Sequence, residues 1–341
     1  MQRDTIFRIA SMTKPVTAVA ALILVEECVL RLDDPVDDWL PELANRQVLK
    51  RFNGPLHETV PANRAITLRD LLTLRMGFGY ATDLAMDSPI WQAMGERHLA
   101  IGPSPTTAPS IDVWMKALGS LPLMAQPGER WMYETGSDVL GVLVARAAGQ
   151  PLGDFMRERI FAPLGMKDTA FFVPPEKLDR LPPCYQPNED GGLEIFDAAS
   201  GHWSQPPAFP AGGGGLVSTV DDFLAFGEML RNCGKLGDVR ILSRPAVEVM
   251  TTNQLTNAQQ QDASSFFIEP RGWGFGLSVV TGRNDLSMVP GRFGWEGGYG
   301  TSWASDPKEE LTAILMTQLL FPQAAAIYQD FGTGVYQAID D

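Results

Sequence analysis

Cysteine, histidine and long apolar runs are all scarce in this 341-residue chain, and each scarcity removes a class of function. The three cysteines, Cys28, Cys184 and Cys233, lie far apart without CxxC spacing, so neither a disulfide framework nor a zinc site is expected. His57, His98 and His202 are isolated and form no HExxH pair, so no metal site of common type is expected. The longest apolar run, Val16 to Val25, stops at Glu26 and Glu27. That is about half of the ~20 residues a bilayer span needs, so it reads as a buried helix and no membrane span is expected. Basic residues are also short: 27 Lys and Arg against 41 Asp and Glu leave a net charge of −14, with no broad basic face for nucleic acid. Met1 to Ile9 carries Arg3, Asp4 and Arg8 without the apolar stretch of a secretory leader, so the chain as written is expected in the cytoplasm.

What is present is an ordinary globular composition, 45% hydrophobic and 20% charged, with 33 glycines and 26 prolines scattered without a period. Thr5 to Ala10 is β-prone and passes into Ser11, read as an N-cap, with Pro15 in the first turn of the apolar helix. Leu32 to Leu43 mixes four aspartates with Pro35 and Pro41 and reads as a turn-rich surface connection. From about Ile66 to Ala170 the pattern is mostly helical, with Thr67 or Asp70 at one helix start and Val139 to Ala148 closed by Gly149 and Pro151. Prolines between Pro182 and Pro210 and the run Gly212 to Gly215 mark a loop-rich passage, and Asp221 and Asp222 open a further helix to about Leu230. The last hundred residues hold β signals at Trp273 to Val280, Phe293 to Trp303 and Leu311 to Leu319. The last two are joined by Asp306, Pro307 and Lys308 in a hairpin turn, and a closing helix follows near Ala324 to Ile339.

This order predicts an α+β fold: an antiparallel sheet flanked by helices, with a mostly helical region inserted in mid-chain. Residues 1–30 and 205–341 are expected to form the sheet domain and 31–204 the helical domain, with the active site between them.

Ser11-Met12-Thr13-Lys14 is an SxxK motif, and on a helix its spacing places the lysine amine one turn from the serine hydroxyl on the same face. Ser305-Asp306-Pro307-Lys308 has the same pattern but falls in a hairpin turn. A helix start aims backbone N–H groups and a positive dipole end at Ser11, which suits an oxyanion there.

The segment Thr5-Ile-Phe-Arg-Ile-Ala-Ser-Met-Thr-Lys-Pro resembles the nucleophile segment of class C β-lactamase-like proteins and the related family VIII carboxylesterases. Pro127-Gly-Glu-Arg-Trp-Met-Tyr133-Glu-Thr is similar to the second motif, and Pro163-Leu-Gly-Met-Lys-Asp-Thr169 to the turn after a helix. Gly212-Gly-Gly-Gly-Leu-Val-Ser-Thr219 is similar to the glycine segment, and Trp295-Glu-Gly297 falls where the third motif belongs. The matches keep the family's order over nearly the whole chain. The resemblance implies Ser11 as nucleophile, Lys14 as the amine that draws its proton, and Tyr133 as a phenol that shares the base role and relays a proton to the leaving group. It also implies an oxyanion hole from the backbone N–H groups of Ser11 and Gly298, with Trp295, Gly297 and Thr135 at the substrate. No cofactor is expected.

Two departures bear on the substrate. Trp295 stands where lactamases and DD-peptidases of this fold usually have lysine, replacing a charge with an apolar wall. Thr135 stands where lactamases usually have asparagine. Both favour a carboxylesterase acting on a small-molecule, short-chain ester over a class C-like β-lactamase or DD-peptidase. An acyltransferase or a non-catalytic binding module of the same fold are the remaining alternatives. The resembling proteins also carry a helix and two strands before the nucleophile segment that pair beside the last strand. An unpaired apolar edge is therefore expected at Leu311 to Leu319, covered by another segment or by a partner chain such as a second copy, unless Met1 is not the natural start.

Overall fold

The computed structural model describes residues 1–99, 107–263, 266, 270–321 and 325–340. Among them the helices are α1 (Thr13–Glu26), α2 (Leu68–Leu72), α3 (Pro89–Glu96), α4 (Ile111–Ser120), α5 (Thr135–Ala148), α6 (Leu152–Met156), α7 (Ala162–Leu164), α8 (Val220–Arg231), α9 (Arg244–Met250), α10 (Asn257–Asp262) and α11 (Ala325–Tyr336). Four short antiparallel pairs surround the core: β1 (Phe7–Arg8) with β6 (Val217–Ser218), β2 (Gln47–Leu49) with β3 (Thr59–Pro61), β4 (Cys184–Pro187) with β5 (Leu193–Asp197), and β7 (Lys235–Leu236) with β8 (Val239–Arg240). The main sheet joins β9 (Arg271–Trp273), β10 (Ser278–Val280), β11 (Phe293–Gly297), β12 (Thr301–Asp306) and β13 (Leu311–Leu315). It is antiparallel throughout, in the order β13-β12-β11-β10-β9. This is a β-lactamase/transpeptidase-like arrangement of helices and antiparallel strands.

Local chemistry sets the element ends. Thr67 accepts from the Asp70 N–H while the Asp70 carboxylate accepts from the Thr67 N–H at 2.9 Å, a reciprocal cap that starts α2. Thr219 caps α8 through the Asp222 N–H, and Gly149, in the left-handed region at φ 66°, stops α5 before Pro151. The apolar α1 is buried from Thr13 to Leu24, as a helix without a polar face must be, and packs along α5. One core runs from α1 and α5 through α8 to the sheet, where Trp303 of β12 meets Phe223, Phe226 and Phe293 with ring centroids 5.6 to 5.8 Å apart. Burying each such ring stabilises the fold by about 1.5–3 kcal/mol.

Several expected elements differ in detail. Ser11 is not an N-cap: it lies in a 3-10 turn, Ala10–Met12, and α1 begins at Thr13 with no side-chain cap. The Ser11 hydroxyl is engaged with Lys14 instead. The run Trp273 to Val280 is the β9–β10 hairpin rather than one strand, because Gly276 turns it at φ 72° and Gly274 lies so close to the Met250 carbonyl that a Cβ there would sit 2.1 Å from it. Phe293 to Trp303 likewise breaks after Gly297, where Gly300 (φ 71°) closes the β11–β12 turn. The hairpin turned at Asp306 has the expected register, from Asp306 opposite Leu311 to Ser302 opposite Leu315. Its outer strand β13 is half-buried and has no second strand beside it in this sheet among the described residues.

Candidate active site

The β1–β6 pairing fixes the chain just ahead of Ser11, and Ala10, at φ 43°, turns it so that Ser11 faces a cavity. Lys14 follows three residues later on the same side and is completely buried, its side chain 0% exposed. Its ammonium donates three hydrogen bonds: to Ser11 Oγ at 3.0 Å, to the Gly213 carbonyl at 2.7 Å and to Glu134 Oε2 at 2.6 Å. Three N–H donors thus meet three acceptors. Burial alone would lower the Lys14 pKa, but attraction to Glu134, and then to Tyr133, outweighs it and holds the amine above its ordinary value. Lys14 is therefore a cation in the resting site.

Tyr133 is held by two backbone hydrogen bonds with Tyr80, at 2.7 and 2.9 Å. Its ring lies 4.5 Å from Lys14 Nζ, and its hydroxyl bonds the Ser11 side chain. Burial raises the phenol pKa more than the Lys14 charge lowers it, so the resting phenol is neutral. Trp295, expected as an apolar wall, has a different place. It is 5% exposed, packs edge-on against Trp273 with centroids 4.7 Å apart, and donates its indole N–H to Tyr133 Oη at 2.7 Å. The Trp273 ring on one side and the Tyr133 hydroxyl on the other fix that orientation, so Trp295 lies behind Tyr133, which is itself on the cavity wall. An indole can only donate, so this bond supports negative charge on the tyrosine oxygen.

Of the other expected site residues, Gly298 shares the cavity wall with Ser11. Gly297 is instead a close-approach residue: a Cβ there would sit 2.4 Å from the Ile9 carbonyl, so glycine lets β11 press against the segment that carries Ser11. Thr135 is buried as the first residue of α5 and takes no part in the wall.

Two carboxyls went unread in the sequence. Glu134 lies at φ 77°, ψ −73°, in a γ-turn closed by the Thr135 N–H on the Tyr133 carbonyl at 3.2 Å. That conformation is rare for a residue with a Cβ and costs about 1–3 kcal/mol. Asp138, one turn into α5, accepts the Gly213 N–H at 2.8 Å, and burial, then the nearby Glu134 charge, push its carboxyl up to about 8. Gly213 admits both: a Cβ there would lie 2.5 Å from Glu134 Oε1 and 2.9 Å from Asp138 Oδ1. The one signal was an acid directly after Tyr133. Its partner Lys14 is 120 positions away.

The cavity measures 540 Å³ and is lined largely by aromatic and aliphatic side chains, among them Tyr80, Trp91, Trp203, Phe266, Tyr299 and Phe321. Glu134 is the sole charged side chain on this wall among the described residues. An apolar chamber, whose one charged wall group among the described residues is already paired with the buried Lys14, therefore surrounds a hydroxyl that touches that cation and a phenol. That constellation suits attack by a serine on a neutral carbonyl.

The beta-lactamase family profile matches residues 1–332. Protein Rv1367c of Mycobacterium tuberculosis (strain ATCC 25618 / H37Rv) is 42% identical over 327 residues, covering 93% of this chain and 78% of that protein. Esterase EstB of Burkholderia gladioli is 32% identical over 344 residues, covering 94% and 79%. Among solved structures, EstCE1, described as a hydrolase with promiscuous acyltransferase activity, superposes with a TM-score of 0.79 at 26% identity, covering 98% of this chain and 86% of that one.

Proposed function

The chain belongs to the beta-lactamase family of serine hydrolases, and we propose that within it the protein is a carboxylesterase that cleaves short-chain esters of neutral, apolar acids through an acyl-Ser11 intermediate. The lack of a cation on the described wall of the chamber carries this reading. β-Lactams and D-alanyl peptides bring a carboxylate, and among the described residues the wall offers no cation to meet it: Glu134 is already paired with the buried Lys14, and Trp295 stands in the sequence where the usual lysine would be. A missing charge-assisted contact costs about 1.5–3 kcal/mol, roughly ten- to hundredfold in binding. The 32% identity to an esterase supports the same direction.

In this reading Ser11 Oγ attacks the ester carbonyl, and the Ser11 and Gly298 N–H groups stabilise the oxyanion. The alkoxide leaves as an alcohol with a proton relayed by Tyr133, and water then releases the acid. The discriminating assay sets p-nitrophenyl butyrate against nitrocefin. The ester is expected to be turned over with the larger kcat/KM by at least about tenfold. Faster nitrocefin hydrolysis would make the protein a lactamase.

EstCE1's transferase activity and the apolar chamber, which favours an organic alcohol over water, support acyl transfer as a second reading. It predicts new esters when alcohols are added, resolved by product analysis; release of free acid alone would remove it.

Trp295 provides a finer test. Trp295→Phe keeps the ring packing against Trp273 but removes the donor to Tyr133. It is expected to lower kcat about ten- to hundredfold with KM nearly unchanged, since the lost bond supports charge only during the reaction. An unchanged kcat would show that the indole only fills space.

A further inference from the structure

In the proposed reaction the Lys14 amine takes a proton from Ser11, yet in the resting site it already carries three, each pointed at an acceptor. An ammonium has no lone pair to receive a fourth. The deprotonation of Lys14 therefore needs an address, and the buried surroundings provide few. We propose that Glu134 is a positioning residue for Ser11 activation: it receives a proton from Lys14 across their 2.6 Å contact and so frees the amine to accept the proton of Ser11. The inference rests on the reading of Ser11 as nucleophile.

The steps balance. A Lys14 N–H bond breaks and an O–H bond forms on Glu134, leaving a neutral amine beside a neutral carboxyl. Ser11 Oγ then bonds to the substrate carbonyl carbon, its proton moves to the amine lone pair, and the carbonyl π pair becomes the oxyanion. On collapse the bond to the alcohol breaks, and the departing alkoxide takes a proton from Lys14 through the Tyr133 hydroxyl. Glu134 returns its proton to the amine, so acyl-Ser11 and alcohol are formed and both ions are restored.

Four observations support this route. The pair is withdrawn from water, Lys14 wholly and the Glu134 side chain to 21% exposure. Withdrawal penalises two ions far more than two neutral groups and narrows the gap between the states. Among the described residues the other titratable groups facing Glu134 are Asp138, Tyr80 and Tyr133. Asp138 is pushed up to about 8, by burial first and then by Glu134, so it already holds a proton at neutral pH. Tyr80, pushed up to about 12 by burial and the two carboxyls, and Tyr133, raised by burial, are neutral phenols. Glu134 is thus the carboxylate that meets the amine, a strained γ-turn sets its direction, and the missing Cβ of Gly213 leaves room for its carboxyl.

Glu134→Gln keeps the shape and an acceptor oxygen but cannot take the proton. The test follows kcat for p-nitrophenyl butyrate and the rate of fluorophosphonate labelling of Ser11 from about pH 5.5 to 9, in the wild type, Glu134→Gln and Glu134→Asp. At pH 6 the glutamine variant is expected to be at least about tenfold slower in both, with KM within about threefold, because Lys14 must now lose its proton to solvent. The deficit shrinks as pH rises. Glu134→Asp is expected to keep the wild-type pH shape at reduced height. A glutamine profile parallel to the wild type would reduce Glu134 to packing, and a faster variant at neutral pH would make it a restraint on the amine; either overturns the proposal alone. Should circular dichroism show the glutamine variant unfolded, the aspartate variant decides: the wild-type pH shape supports the proposal and a new alkaline-rising limb overturns it. Wild-type protein that is not labelled at Ser11 overturns the nucleophile reading, and the proposal with it.

Discussion

Replacing Ser11 with alanine is expected to lower kcat for p-nitrophenyl butyrate by about 10⁴-fold or more, with the thermal unfolding midpoint nearly unchanged. The hydroxyl touches both the buried cation and the phenol, and the chain has no GxSxG elbow to offer a substitute. The variant should stay folded because the principal anchors of Lys14 are Glu134 and the Gly213 carbonyl, both of which remain. Removing one neutral partner from a three-bonded ammonium is a smaller loss than breaking its ion pair. Mass spectrometry after fluorophosphonate treatment gives the matching readout: one adduct on the wild type, at Ser11, and none on the variant. Activity above about 1% of the wild type would place the nucleophile elsewhere, since the chamber and oxyanion donors left behind accelerate the reaction only weakly by themselves.

The largest expected loss of stability comes from a position that takes no direct part in the chemistry. Arg8, three residues before Ser11, is 0% exposed, and its partner Asp197 on β5 is 2% exposed. The guanidinium donates from Nε to Asp197 Oδ2 at 2.8 Å, from Nη1 to the Pro182 carbonyl and to Gln318 Oε1, both at 2.8 Å, and from Nη2 to the Ala198 carbonyl at 3.1 Å. It also lies over the Trp203 ring. One side chain thereby ties β1 to β5 and to the segment after β13. Arg8→Met fills much of the volume but leaves Asp197 as a buried, unpaired charge, which costs about 3–5 kcal/mol and should lower Tm by roughly 5 °C or more. Replacing both partners with apolar residues, Arg8→Met with Asp197→Leu, is expected to recover most of that loss, because a packed apolar pair makes no desolvation demand. Calorimetry on the single and double variants checks both statements; a single variant as stable as the wild type would mean that water reaches Asp197.

The parts of the site that could be read from sequence are those whose meaning is local or ordered along the chain. The three-residue spacing of Ser11 and Lys14 places them together on one face whatever the rest of the fold does, and Tyr133 is found by its position in a series of motifs. The glycine run was recognised as a motif, but its purpose, passing the Gly213 backbone between Glu134, Asp138 and Lys14, depends on packing. Glu134 was hidden because its partner is 120 positions away, and Arg8 because Asp197 is 189 away. For Trp295 the residue type and its place in the third motif were legible, but the direction of the indole was not. Trp273 and Tyr133 set that direction, and they come from different parts of the chain. The same limit affected the strands. Asp306 to Lys308 is a strong turn signal and gave the β12–β13 hairpin, whereas Gly274 and Gly276 sit inside an apolar run that reads as continuous until the chain is seen to turn against Met250.

The threefold anchoring of the Lys14 ammonium also governs what becomes of a captured acyl group. The Lys14 nitrogen lies 3.0 Å from the Ser11 oxygen that would carry the acyl group, a place from which a neutral amine could undergo aminolysis, moving the acyl group onto nitrogen and leaving a permanent amide in a dead enzyme. An ammonium with its protons committed to Ser11, Glu134 and Gly213 has no electron pair to offer. Aminolysis is thereby confined to the interval in which the Lys14 proton is lent to Glu134 or to the departing alcohol, and once the ion pair is restored the acyl group is left to an incoming hydroxyl.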